Sequence, residues 1–268
     1  MIETGLAFVF GLLIGSFLNV CIYRWTRGLS VVRPRSACPV CGKMIAWYDN
    51  VPLVSFALLR GRCRHCGASI SWRYPLIELL TGIAFAGAVL RFGLSLSALK
   101  IAMFGSICIA LVATDLTERL LPDYFTVGGT AIGILFAFFD PLEPLFPYGG
   151  DSRLWRSLLE ALAGAALPSF AMWCLGEAYH ALRKREGIAL GDVKMIAMIG
   201  AFLGLRGSLL ALVIGSVSGA VIGLVYVSLA RKSAATYPIP FGVFLGVGGL
   251  AVAWFGEPIM RAYFGVSP

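Results

Sequence analysis

Eight apolar stretches follow one another along this chain, and no soluble core of its size could hide them all. They run over Leu6–Tyr23, Pro75–Leu90, Ala98–Thr114, Tyr124–Phe139, Ser157–Ala178, Val193–Leu205, Ser208–Ala230 and Ile239–Ala262. A bilayer core of about 30 Å is crossed by roughly 17–25 apolar residues in a helix. A helix also satisfies its own backbone N–H and C=O groups where no water can reach them. Val193–Leu205 is short and needs the residues just before it to span. Only 13% of the 268 residues are charged and 59% are hydrophobic, against roughly 25% charged in a soluble domain. The expected fold is therefore an all-α polytopic membrane protein with about eight transmembrane helices. The first run has no basic residue ahead of it and no small-residue cleavage site behind it, so it reads as a retained helix.

The net charge of +8 would suit a nucleic-acid partner if the basic residues formed one patch. Instead they lie between the apolar runs, which argues for a lipid bilayer and against nucleic acid. With the N-terminus outside, the inside segments hold Arg24, Arg27, Arg33, Arg35, Lys43, Arg60, Arg62, Arg64, Arg73, Arg119, Arg183, Lys184, Arg185, Lys194, Arg231 and Lys232. Only Arg91, Lys100, Arg153, Arg156, Arg206 and Arg261 fall elsewhere. Basic loops stay on the cytoplasmic side, so both termini are expected outside. Asp140–Arg156, with its prolines and paired glycines, reads as an outside loop. Gly200, Gly204, Gly215, Gly219 and Gly223 recur in the later runs and suit close helix packing in lipid.

One inside segment, 24–74, is long enough for a small module of its own. It contains Cys38-Pro-Val-Cys41 and Cys63-Arg-His-Cys66, two C-x-x-C knuckles that suit a four-thiolate zinc ribbon. Gly42 and Gly67 follow the knuckles directly and supply the open backbone that such turns need. A module this small cannot build much core, so a metal staple makes physical sense. Two disulfides or unrelated buried thiols are the alternatives, and a reducing cytoplasm disfavours the first. Four thiolates leave no open position, so the Zn2+ would be structural. His65, inside the second knuckle, is either an exposed bystander or a substitute ligand. Cys21, Cys108 and Cys174 read as small apolar fillers.

The chain has 14 acidic residues, and two groups of them stand at run boundaries on the inside face. The first spans Asp115, Glu118, Pro122 and Asp123; the second is Gly191-Asp192-Val-Lys194. If Asp115 and Asp192 converge, repulsion keeps both from ionising and they share a proton. The ionised member can then take a proton from water while the other donates to an amide carbonyl. Gly191 would allow close approach beside Asp192, and Pro122 would fix the chain before the next helix. The alternatives are a helix-end role for Asp115, a cap role for Asp192, and solvated loop acids at Glu118 and Asp123. There is no G-x-S-x-G, H-E-x-x-H or P-loop pattern, and the only histidines are His65 and His180. A proton-coupled transporter would rather place acids along a pathway through the midplane. A non-enzymatic assembly scaffold docking through the cysteine module is a third reading.

Ser16-Phe-Leu-Asn-Val-Cys-Ile-Tyr-Arg24 resembles the opening of the type IV prepilin peptidases, the prepilin leader peptidase/N-methyltransferases. Trp47-Tyr-Asp-Asn-Val-Pro52, Leu59-Arg-Gly-Arg-Cys63 and Arg73-Tyr-Pro75 are similar to further stretches of that family. So are the D-x6-P-D spacing from Asp115 to Asp123, the Gly-Asp-Val-Lys at 191–194, and Ile239-Pro-Phe-Gly-Val-Phe-Leu245. The resemblance implies a bacterial inner-membrane enzyme with its active site facing the cytoplasm. Its substrates would be type IV prepilins or type II secretion pseudopilins, cut after their short basic leader. A second activity would methylate the new N-terminal residue with S-adenosylmethionine. By motif position, Asp115 and Asp192 would carry proteolysis, with Gly191, Lys194, Pro122, Asp123 and Glu118 in support. Cys38, Cys41, Cys63 and Cys66 would belong to the methylation-associated module. The implied domains are a first helix at 1–23, the module at 24–74 and a seven-helix peptidase domain at 75–268. Departures from the family pattern are Ala189 for its usual glycine, Arg62 for a frequent lysine, and no proline after Arg24.

Overall fold

The computed structural model describes residues 1–139, 153–185, 187–230 and 240–264. The expected outside loop at Asp140–Arg156 lies mostly beyond these, as do Arg231 and Lys232. The apolar runs fold as helices: α1 (Ile2–Trp25), α3 (Arg73–Phe92), α4 (Leu96–Glu118), α5 (Asp123–Phe139), α6 (Arg153–Arg183), α7 (Leu190–Ala230) and α8 (Phe241–Phe264). A short helix, α2 (Val54–Leu58), and a 3-10 turn at Trp47–Asn50 lie between α1 and α3. By length and apolarity, α1, α3, α4, Trp155–Arg183 of α6 and Leu190–Tyr226 of α7 can each cross a membrane. Asp123–Phe139 and Phe241–Gly256 are shorter apolar helices. Side chains such as Leu13, Phe17, Val217 and Leu224 are exposed, as lipid-facing positions should be. Among the described residues the regular elements are helices, and the protein is multi-pass.

Helix ends follow local chemistry. Gly93 closes α3 with φ 65, and its N–H bonds to the Val89 carbonyl at 2.9 Å. Arg119 ends α4 in the same left-handed conformation, with its N–H on the Asp115 carbonyl at 3.1 Å. The two runs Val193–Leu205 and Ser208–Ala230 are not separated by a loop. They are the two arms of α7, broken at Gly204, where φ is 71 and ψ is −176. The break leaves the Leu205 N–H without its helical acceptor, and Oε2 of Glu160 on α6 takes it at 3.2 Å. The short first run is lengthened at its start, since α7 begins at Leu190.

Packing groups the chain into two compact units, Met1–Ala110 and Leu111–Pro268. In the first unit α1 lies flush on α3: a Cβ on Gly11 would come within 2.8 Å of the Gly82 Cα. In the second unit Gly200 and Gly204 of α7 lie against Gly164 of α6, so the two backbones touch. Gly215 and Gly219 pack on Leu245 and Phe244 of α8.

Candidate active site and metal centre

Each cysteine knuckle forms the same small turn. The Cys38 N–H bonds to the Lys43 carbonyl at 2.9 Å and the Gly42 N–H returns to the Cys38 carbonyl at 2.9 Å. Cys63 pairs likewise with Ala68 at 2.8 Å, and Gly67 with Cys63 at 2.9 Å. Gly42 and Gly67 have φ of 70 and 71, which a side chain would strain. The two turns bring the sulfurs of Cys38, Cys41, Cys63 and Cys66 within 4.8 Å of one another, and Cys38 Sγ lies 3.8 Å from Cys66 Sγ. A tetrahedral ion with Zn–S bonds of about 2.3 Å sets its sulfurs about 3.8 Å apart, so this donor set fits. Backbone N–H groups of Cys41 and Val40 point at the Cys38 sulfur and pull its thiol down to about 6. At Cys66 the Ala68 N–H works the same way, but lost solvation and the three neighbouring thiols outweigh it and push that thiol up to about 11. Four crowded thiols cannot all ionise without a cation among them. His65 is exposed and outside the cluster. Arg64, in the second knuckle, grips Asp49 of the 3-10 turn through two nitrogens, with contacts of 2.6, 2.8 and 3.0 Å. That contact holds the Asp49 carboxyl below the usual range.

Asp115 lies in the last turn of α4 and is buried, 6% exposed. Its Oδ2 accepts the Val243 N–H at 3.0 Å, and the Gly242 N–H also points at the carboxylate. Both donors belong to the first turn of α8, where N–H groups have no partner inside the helix and the dipole is positive. A Cβ on Gly242 would sit 2.8 Å from Asp115 Oδ2, so only glycine lets the α8 backbone come this close. Asp192 lies inside the first turn of α7, 8% exposed, with its N–H on the Ala189 carbonyl at 3.0 Å. It is therefore not the cap of that helix. Asp115 and Asp192 thus stand at the ends of α4 and α7 within the same compact unit.

The other residues expected at the site lie at the ends of α4, α5 and α7. Pro122 precedes α5 and its carbonyl accepts the Phe125 and Thr126 N–H groups at 3.0 and 3.1 Å. Asp123, the first residue of α5, pairs with Lys194 of α7 at 2.7 Å. The two aspartate motifs are thus tied by a bond between their own side chains. Glu118 is exposed at the end of α4. Gly191 packs on Leu121, whose Cβ and Cδ1 would each lie 3.2 Å from an added Cβ. The same Leu121 Cδ1 stands 3.1 Å from an added Cβ on Gly242. One side chain from the α4–α5 turn therefore touches the glycine beside each aspartate. Ala189, at the family's usual glycine, is exposed and outside the left-handed region, so its methyl is accommodated. Sequence reasoning assigned no role to Gly242, Val243 or Leu121; the one available signal was the Pro240-Phe-Gly242 opening of the final run.

A second polar group, also unassigned from sequence, lies in the first unit. Arg24, 8% exposed, donates to the Ser30 and Pro34 carbonyls at 2.8 and 2.6 Å. Asn19, 3% exposed, donates from Nδ2 to the Tyr74 carbonyl at 3.0 Å. Glu78, 8% exposed, accepts the Leu53 N–H at 2.9 Å.

Fold and site together define a multi-pass helical membrane protein with paired buried carboxylates and a four-thiol metal-type cluster. Residues 9–92 match the bacterial peptidase A24 N-terminal domain, and residues 102–224 match the type IV leader peptidase family. The chain belongs to the type IV leader peptidase family. It is 42% identical over 217 residues to a prepilin leader peptidase/N-methyltransferase of Myxococcus xanthus, covering 81% of this chain and 61% of that protein's length. The protein of that name from Burkholderia pseudomallei strain 1026b is 37% identical over 96% of this chain and 86% of its own. The one from Xanthomonas campestris pv. campestris is 34% identical over 94% and 91%. No solved structure matches the chain.

Proposed function

We propose that this chain is a bifunctional enzyme of the bacterial inner membrane. It removes the leader from type IV prepilins or pseudopilins and then N-methylates the new terminus. The observation that supports the peptidase half is the burial of Asp115 and Asp192 on separate helices, with Gly242 beside one and Gly191 beside the other resting on the same Leu121 side chain. The names of the relatives support both halves. They give no support to a transporter or a scaffold.

Two N–H groups at the start of α8 stabilise negative charge on Asp115, which suits it to take a proton from water. The hydroxide so formed adds to the scissile carbonyl carbon while Asp192 gives its proton to the carbonyl oxygen. The tetrahedral species collapses as the C–N bond breaks. The leaving nitrogen takes the proton held by Asp115, and the departing hydroxyl proton returns to Asp192. No metal or covalent intermediate enters these steps. Lys194 and Asp123 hold the two motifs in register, with Gly191, Pro122 and Glu118 completing the surroundings.

The cysteine module at 24–74, after the first helix at 1–23, holds Zn2+ through Cys38, Cys41, Cys63 and Cys66 and serves methylation; the segment 75–268 serves cleavage. S-adenosylmethionine would supply the methyl group. The distribution of basic loops supports an orientation in which the module and both aspartates face the cytoplasm and, with the two arms of α7 each crossing, both termini lie outside. Reporter fusions at the two ends that shone only in the cytoplasm would refute this orientation. The decisive assay is cleavage of a purified prepilin in detergent by wild type, Asp115→Ala and Asp192→Ala. Each variant should fold and lose at least about 100-fold in rate. Normal cleavage by either one sinks the shared-proton mechanism.

A further inference from the structure

Burying a carboxylate in the membrane part of a helix is costly unless its oxygens find donors. Glu78 of α3 is such a residue, 8% exposed. The Leu53 N–H donates to its Oε2 at 2.9 Å, and the Ser16 hydroxyl of α1 faces the same carboxylate. At this level α1 and α3 are in backbone contact, since a Cβ on Gly15 would fall 2.7 Å from the Glu78 Cα. Glu78 therefore holds a rigid two-helix base on one side and Leu53 on the other.

Leu53 is not an ordinary donor. It takes φ 59, a left-handed conformation rare for a residue with a side chain, and stands at the N-cap of α2. Its N–H is among those that a helix start leaves without an acceptor. Rigid contacts continue outward from this point. The Ser55 hydroxyl of α2 bonds to the Tyr48 carbonyl at 2.9 Å, joining α2 to the 3-10 turn. Asp49 of that turn grips Arg64 between Cys63 and Cys66. The Phe56 ring packs edge-on against Trp72 at 4.8 Å, just before α3 begins. A path of direct bonds thus runs from Glu78 to the metal-binding knuckle.

We propose that Glu78 is the positioning residue that pins the cysteine module to the α1–α3 pair, and that methyl transfer, but not leader cleavage, depends on this pin. The proposal rests on the reading above that the module serves methylation. Its effect comes from the acceptor oxygens and not from charge, so a glutamine should replace it.

The test uses the full-length protein in detergent with three readouts: hydrogen exchange at the Leu53 amide, methylation of cleaved pilin, and cleavage of prepilin. Glu78→Leu should expose the Leu53 amide and lower methylation by at least about tenfold, since small misplacements carry that much. Cleavage should stay at the wild-type rate. Glu78→Gln should behave as wild type in all three. If Glu78→Leu does not accumulate, Ser16→Ala should give a weaker change in the same direction. Protection of Leu53 unaltered in Glu78→Leu would overturn the pin. Equal loss of cleavage and methylation would overturn the division of labour, and failure of Glu78→Gln to rescue would overturn the positioning role. A wild type that cleaves but transfers no methyl group would remove the functional half, while Leu53 exchange would still decide the mechanical one.

Discussion

Gly242 is the residue on which the geometry of Asp115 turns. Its missing side chain lets two N–H groups reach the carboxylate, and an added methyl would meet Oδ2 at 2.8 Å. Gly242→Ala should therefore displace either Asp115 or the start of α8, lowering kcat for prepilin cleavage by about tenfold or more. Folding should survive, because the clash is with the ends of two side chains, the Asp115 carboxylate and Leu121 Cδ1, both of which can rotate. A kcat unchanged in this variant would show that the α8 amides do not support the reaction. That Asp115 and Asp192 stand out as acids at helix ends was legible in the sequence, because acids at the ends of apolar runs are scarce and costly. Gly242 was not. Its role comes from lying beside Val243, whose N–H reaches Asp115 across 128 positions; the 239–245 stretch marked the segment but not its partner. Glu78 escaped for the same reason: its partner Leu53 is set by the path of the chain and not by any pattern around either residue.

Among the elements, the α4–α5 turn has a use beyond connection. Leu121 reaches both Gly191 and Gly242, so the starts of α7 and α8 rest against one side chain. Removing it leaves a hollow into which either helix end can shift. Leu121→Ala should lower kcat more than it raises KM and should alter the pH profile of cleavage, because coupling between the two carboxylates depends on their separation. Leu121→Met should restore most of the rate. A pure KM effect would instead mark Leu121 as a substrate contact. The helices themselves were largely readable, since each long apolar run became one. The exception is informative. Arg206 and Gly207 read as a gap between two runs, yet α7 continues through them. The actual break is two residues earlier at Gly204, and Glu160 of α6 accepts the Leu205 N–H that the break leaves over. A helix interruption repaired by a neighbour leaves little trace in hydropathy.

For the whole molecule, the cysteine cluster lies in the unit Met1–Ala110 and the carboxylate pair in the unit Leu111–Pro268. Purified protein should carry about one zinc per chain. A strong chelator should strip it, raise hydrogen exchange across the two knuckles and abolish methylation, with prepilin cleavage continuing. Loss of cleavage on the same time course would show that the carboxylate pair needs the metal as well. The spacing of the four cysteines made this centre plain from sequence, because each knuckle is a local structure of six residues. What lay beyond sequence is how the centre is attached, through Arg24, Asn19 and Glu78, whose partners are mostly backbone atoms.

The hydrogen bond from Val243 to Asp115 also bears on the order of events during synthesis. A growing chain contains both aspartates by position 192, about fifty residues before it contains the amides that hold one of them. Until α8 emerges from the ribosome and enters the bilayer, the pair lacks part of its electrostatic support. On the proposed mechanism, a nascent or prematurely terminated chain should therefore be a weak protease at most, with full competence arriving only when this helix is in place.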